Sequence, residues 1–185
     1  MKKLIFLLLV FVLSISVNIV CAEPVSISSQ AYICNDTGVV NVIFTGTNDG
    51  SLSGELVVYR VSDSSIMQRI KVEDIFHPPD TKLSLEFVDL NDDGYMDMIF
   101  WNSRTGTAGA AYAGDVFLWI PKLKRFVQSQ TLSQDGEISK SKRKGCVIVE
   151  TKCSSTSWWT REICFNQATG RWKVVSDNNC PEQLP

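Results

Sequence analysis

The stretch Leu83-Ser84-Leu85-Glu86-Phe87-Val88-Asp89-Leu90-Asn91-Asp92-Asp93-Gly94-Tyr95-Met96-Asp97-Met98-Ile99-Phe100-Trp101 sets an acidic loop between two short apolar runs. Runs of this length, rich in aromatic and aliphatic residues and bounded by Asn, Asp and Gly, read as β-strands. The loop from Asp89 to Asp97 has the pattern D-x-N-x-D-G-x-x-D, the first nine positions of an EF-hand calcium loop. Calcium is a hard cation that takes six to eight oxygens, and alternate residues of a curled loop can aim Asp89, Asn91 and Asp93 at one centre. Gly94 allows the sharp turn, the Tyr95 carbonyl supplies a backbone oxygen, and Asp97 ligates directly or through water. The twelfth position, which in an EF-hand is a bidentate glutamate, is Phe100, and the flanking runs are strands rather than helices. The expectation is therefore a strand-loop-strand calcium site whose missing ligand is water or a residue distant in sequence. The competing reading is an Asx-rich hairpin turn that is simply solvated.

Outward from this stretch the strand grammar repeats. Gln30 to Cys34, Val39 to Thr45, Gly54 to Val61 and Gln68 to Val72 precede it. Val116 to Ile120, Phe126 to Thr131, Cys146 to Cys153, Trp158 to Phe165 and Trp172 to Val175 follow. Ser62 to Ser65, Pro121 to Lys124 and Gln167 to Gly170 carry turn chemistry. No long helical periodicity occurs after the N-terminus. The expected fold is all-β, with compact antiparallel sheets in a propeller-like or sandwich arrangement. Trp101, Phe117, Trp119, Phe126, Trp158, Trp159 and Trp172 fall within strands, where alternation sends many of them to the core.

Lys2 and Lys3 precede the apolar run Leu4 to Val17, and Val20-Cys21-Ala22 ends in small residues, the grammar of a cleaved secretory signal peptide over 1–22. The run is too short for a membrane span. The rest, 23–185, reads as a single β domain with a loose polar tail from about Asp177. A net charge of −2, made more negative by loss of the two leader lysines, argues against a nucleic-acid partner. Cys34, Cys146, Cys153, Cys164 and Cys180 remain after cleavage and in an oxidising compartment tend to pair. If Ser154 to Ser157 turns a hairpin, Cys146 falls nearly opposite Cys164, close enough for a disulfide. With His77 as the one histidine and no CxxC pair, a zinc site or histidine-based catalytic cluster is not expected. No catalytic residue is assigned.

Between Asn102 and Asp115 lies Ser103-Arg104-Thr105-Gly106-Thr107-Ala108-Gly109-Ala110-Ala111-Tyr112, a small-residue segment that reads as a long connecting loop. It is either a plain connection or a protruding element able to enter a partner's cleft, with Ser103, Thr105, Gly106, Thr107, Gly109 and Tyr112 as its contact residues.

The order of a strand, Asp89 to Asp97 with Asp93-Gly94-Tyr95, a further strand, the Gly/Ala segment to Tyr112, then Phe117-Leu118-Trp119 and Lys124-Arg125-Phe126-Val127, resembles a family of calcium-binding bacterial periplasmic proteins. That family is related in fold to periplasmic lysozyme inhibitors and includes immunity proteins against peptidoglycan-cleaving effectors delivered by type IV secretion. The likeness covers about Leu83 to Val175, and the acidic loop is its sharp motif. It implies propeller-like sheets, a Ca2+ ion held by Asp89, Asn91, Asp93, Tyr95 and Asp97, a periplasmic location, and inhibition of a muramidase or other cell-wall hydrolase by an inserted small-residue loop. The lysozyme-inhibitor relatives carry a Ser-Gly pair followed by Tyr in that loop, where this chain has Thr105-Gly106 and Ala108-Gly109. The acidic loop also resembles those of integrin-type propeller repeats, but this chain has a single such loop and no internal repeat. The alternative function is an exported carbohydrate- or surface-binding module, with Trp158-Trp159 as the sugar platform.

Overall fold

The computed structural model describes residues 22–76, 82–105, 111–133, 136–154 and 156–178. Within them lie twelve strands: β1 (Glu23–Cys34), β2 (Gly38–Asn48), β3 (Ser51–Arg60), β4 (Ile66–Phe76), β5 (Ser84–Val88), β6 (Asp97–Thr105), β7 (Ala111–Ile120), β8 (Arg125–Gln128), β9 (Glu137–Lys140), β10 (Cys146–Lys152), β11 (Trp158–Asn166) and β12 (Arg171–Asn178). They form three four-stranded antiparallel meanders, β1 to β4, β5 to β8 and β9 to β12, each pairing its strands in chain order. No helix occurs among the described residues, so the all-β expectation holds.

The apolar pattern of each meander matches its place. In β2, Val40, Val42 and Phe44 are buried while the residues between them are not, the alternation of a sheet with one covered face. In β6 and β7, Met98-Ile99-Phe100 and Val116-Phe117-Leu118-Trp119 are buried without alternation, because both faces of that sheet are covered. Met98, Phe100, Phe117 and Trp119 pack with Val40, Val42, Phe44, Leu56 and Val58 of the first sheet. Ile99, Val116 and Leu118 pack with Ile138, Val147, Val149 and Ile163 of the third. The second sheet is thus the middle layer of three.

Two local devices tighten these layers. Gly46 and Gly54 are cross-strand partners, and a Cβ on Gly54 would lie 2.3 Å from the Thr45 carbonyl and 2.9 Å from the Phe44 ring, so the ring lies over a glycine pair. Between the first and second sheets, the Gln68 side chain donates to the Phe126 carbonyl at 2.8 Å and accepts from the Phe126 amide at 2.9 Å, completing the backbone of β8. In the third sheet Cys146 pairs with Cys164 in register and in a disulfide, the pairing anticipated from a hairpin around Ser154 to Ser157. Among the described residues Cys34 is a free cysteine.

Several details differ from the sequence reading. β1 begins at Glu23 rather than Gln30, and β12 runs to Asn178, so Asp177 and Asn178 are paired in the sheet rather than loose. β9, Glu-Ile-Ser-Lys, went unrecognised because Ile138 alone faces the core and four polar-rich residues carry no period. The segment after Asn102 is not a loop throughout: β6 continues to Thr105 and β7 begins at Ala111, with Arg104 opposite Tyr112. Conversely, β8 stops at Gln128, and the chain turns over Ser129 to Leu132.

Candidate metal-binding loop at the junction of three sheets

The β5–β6 connection curls through a series of side-chain caps. Asp89 accepts from the Asp93 amide at 3.1 Å and from the Gly94 amide at 2.9 Å. Asn91 Oδ1 accepts from the Asp93 amide at 3.1 Å, and Asp93 Oδ1 accepts from the Tyr95 amide at 2.9 Å. Short acidic and amide side chains win these positions because they satisfy amides that a tight loop cannot pair within a ladder. Gly94, at φ 86°, takes the left-handed turn that disfavours other residues. Asp89, Asn91 and Asp93 are therefore linked on one coil by shared backbone amides. Each carboxylate oxygen engaged by one amide retains a further lone pair.

Asp97 is fully buried. Its Oδ2 accepts from the Leu90 amide at 3.0 Å, across the loop, and its Oδ1 from the Trp119 amide at 2.9 Å, in β7. Burial pushes its carboxyl up to about 7, with Asp93 and Asp89 adding repulsion and the two amides opposing. Asp93 is likewise raised, first by burial and further by Asp89. The loop thus concentrates carboxylates that destabilise one another's charge.

Asp92, to which the sequence reading gave no role, points the other way. At φ 55° it sits in the left-handed region that Asp tolerates. Its carboxylate accepts from the Lys140 ammonium of β9 and from the Gly145 amide, and the Lys140 bond is the main reason its carboxyl titrates below the ordinary range. Gln167 donates to the Asn91 carbonyl at 3.1 Å, and the Met96 amide to the Ile33 carbonyl at 3.4 Å. The loop is consequently bonded to β1, to β7 and to the third sheet. Asp92, Gln167 and Gly145 carry no local motif that announces this, since their partners are 48 or more residues away.

Among the described residues no group of three or more His, Cys, Asp and Glu is drawn together tightly enough to hold a metal by those side chains alone. Calcium, unlike zinc, also takes amide and carbonyl oxygens and water. The loop carries the Asn91 amide oxygen beside its carboxylates, and with the Tyr95 carbonyl that the motif assigns the set would be all-oxygen, the class a hard cation takes.

Of the expected partner-binding residues, Ser103 and Thr105 lie on β6 and Tyr112 on β7, while Gly106, Thr107 and Gly109 lie outside the described residues. β5 pairs with β6 no further than Trp101, and β8 with β7 no further than Phe117. Ser103 to Thr105 and Ala111 to Ala113 pair with each other as a two-stranded ribbon beyond those rungs. At its base Asp115, raised by burial, accepts from Asn102 at 2.8 Å and from Gln128 at 2.7 Å. Trp159 does not present a clear platform: Arg161 lies over its ring at 4.1 Å, and its indole N–H donates to Asp177 at 2.6 Å.

No protein-family model matches the chain, and no curated protein matches it. Among solved structures, one described as a Xanthomonas type IV secretion system related protein is similar over 82% of this chain and 85% of its own, with 15% sequence identity and a TM-score of 0.49.

Proposed function

We propose that this is an exported protein, not an enzyme, whose Asp89 to Asp97 loop binds calcium as a structural brace and whose β6–β7 ribbon binds and blocks a cell-wall hydrolase in the periplasm. The observation that carries the calcium reading is the placement of four oxygen-bearing side chains, Asp89, Asn91, Asp93 and Asp97, on a loop bonded to all three sheets. A cation there would offset the mutual repulsion of the carboxylates and hold the junction together. Asp89, Asn91 and Asp93 would hold it with the Tyr95 carbonyl, and Asp97 would support the set while retaining its two amides.

The inhibitory part is supported by the ribbon's extension past β5 and β8, and by the small residues Gly106 to Ala110 that follow β6 in the sequence, a composition that lets backbone approach a partner closely. Export is supported by the leader grammar and by the Cys146–Cys164 disulfide. Titration calorimetry of the chelator-stripped protein tests the metal: wild type gives calcium heat and Asp93→Ala gives none. No heat from wild type at millimolar calcium refutes the reading. Capture from periplasmic extract in calcium tests the partner, with a hydrolase expected among the bound proteins. A hydrolase whose activity is unchanged by the bound protein would sink the inhibitory role.

A further inference from the structure

The free edges of the second and third sheets, β5 and β9, border an open groove of about 590 Å³, within the size range of small-ligand sites. It is lined by Ser84, Glu86 and Val88 of β5, by Trp101 of β6, and by the edge of β9 from Glu137 to Lys140, where Ile138 and Lys140 are on the face toward the second sheet. The Trp101 indole N–H donates to Glu86 Oε2 at 2.9 Å, which holds that carboxylate in place and leaves its other oxygen to a ligand. Lys140, the cation of the groove, is already engaged by Asp92. What remains is an indole wall, the apolar Val88 and Ile138, the exposed Glu86 carboxylate, the Ser84 hydroxyl and the free edge of β9.

We propose that this groove binds a short uncharged oligosaccharide. The Glu86 carboxylate, fixed by Trp101, is a strong acceptor for the hydroxyl hydrogens of a sugar, the Ser84 hydroxyl can donate or accept as the ligand requires, and an indole presents the apolar surface that the C–H face of a pyranose matches. An anionic ligand is disfavoured by Glu86 with Lys140 neutralised. Strand addition is disfavoured too, because β5 and β9 are short edges carrying charged residues, a design that resists pairing with another chain. The site differs from the expected Trp158-Trp159 platform and does not depend on the calcium or inhibitor readings.

The test uses the full mature chain and nuclear magnetic resonance titration with N,N′-diacetylchitobiose, cellobiose and maltotriose, each with and without calcium. At least one of them shifts the Trp101 indole N–H and the amides of Ser84 to Val88 and Glu137 to Lys140. Glu86→Gln weakens binding about tenfold, the loss expected for one hydrogen bond to a charged acceptor. The Glu86 side chain is exposed, so the melting temperature stays unchanged and the loss reports on the ligand. The proposal is overturned if none of the three sugars binds at tens of millimolar, or if binding is undiminished by Glu86→Gln. It is equally overturned if trigalacturonate or pentalysine binds the groove and the neutral sugars do not.

Discussion

Asp97 makes the stability of the metal-free protein depend on pH in an unusual direction. Its carboxyl is raised from 3.8 to about 7 on folding, so between those values the folded state binds more protons than the unfolded chain. Stability contributed by the neutral form is complete below pH 3.8 and is lost as pH rises through 7. At about 1.4 kcal/mol per unit, the full loss is about 4 kcal/mol, of which about 2.5 kcal/mol falls between pH 5 and pH 8. That is a large part of the 5 to 15 kcal/mol that typically separates folded from unfolded domains. Asp93 and Asp115, also raised by burial, act in the same sense. Asp63 and Asp92 are lowered, so both are ionised in either state across this window and add no slope. Urea denaturation in chelator at pH 5 and pH 8 measures the effect as a fall in midpoint at unchanged m-value. Asp97→Asn removes the titration. At pH 5 it costs about 1–3 kcal/mol, since the carboxamide turns its NH2 toward the amide of either Leu90 or Trp119. At pH 8 that deficit shrinks or reverses. Wild type equally stable at both pH values, or an Asp97→Asn protein with an unaltered pH slope, would refute the reasoning.

Two further changes test the packing. Gly54→Ala drives a Cβ to 2.3 Å from the Thr45 carbonyl, so either the β2–β3 ladder or the Phe44 ring must move, and a loss of about 1–3 kcal/mol is expected in the same denaturation assay. Gln68→Ala leaves the amide and carbonyl of Phe126 without their partner; a loss of about 1–3 kcal/mol is expected, together with faster hydrogen exchange at Phe126 than at Phe117 on β7.

The strands were legible where burial has a simple period. β2 alternates and β6 does not, and either pattern suffices to identify a strand. The continuous run Met98-Ile99-Phe100-Trp101, read as a strand, also carries the information that its sheet is covered on both faces, but which sheets cover it is set by residues distant in sequence. β9 was illegible because it contributes one residue, Ile138, to the core. Cys146 near Cys164 was legible because a turn over Ser154 to Ser157 brings the two within one residue of register, and the ladder ending at Lys152 and Trp158 puts them directly opposite.

The acidic loop divides along the same line. Its internal caps are local, from Asp89 to Tyr95, and a motif records them. Its attachments are not local: Asp97 reaches β7, Asp92 reaches Lys140 and Gly145, and Asn91 is met by Gln167. These bonds give the loop a role that the motif does not state. A solvated turn would need only the local caps, and would have no reason to bury Asp97 completely or to hold the three sheets by one segment. Burying a carboxylate between two amides while two others repel it raises the energy of the metal-free fold. That penalty is offset wherever a cation joins the loop, and the same bonds then transmit the gain to β1, β7 and the third sheet together. Calcium is accordingly expected to raise the midpoint of global unfolding, with amides in all three sheets gaining exchange protection in parallel, rather than to order the loop alone.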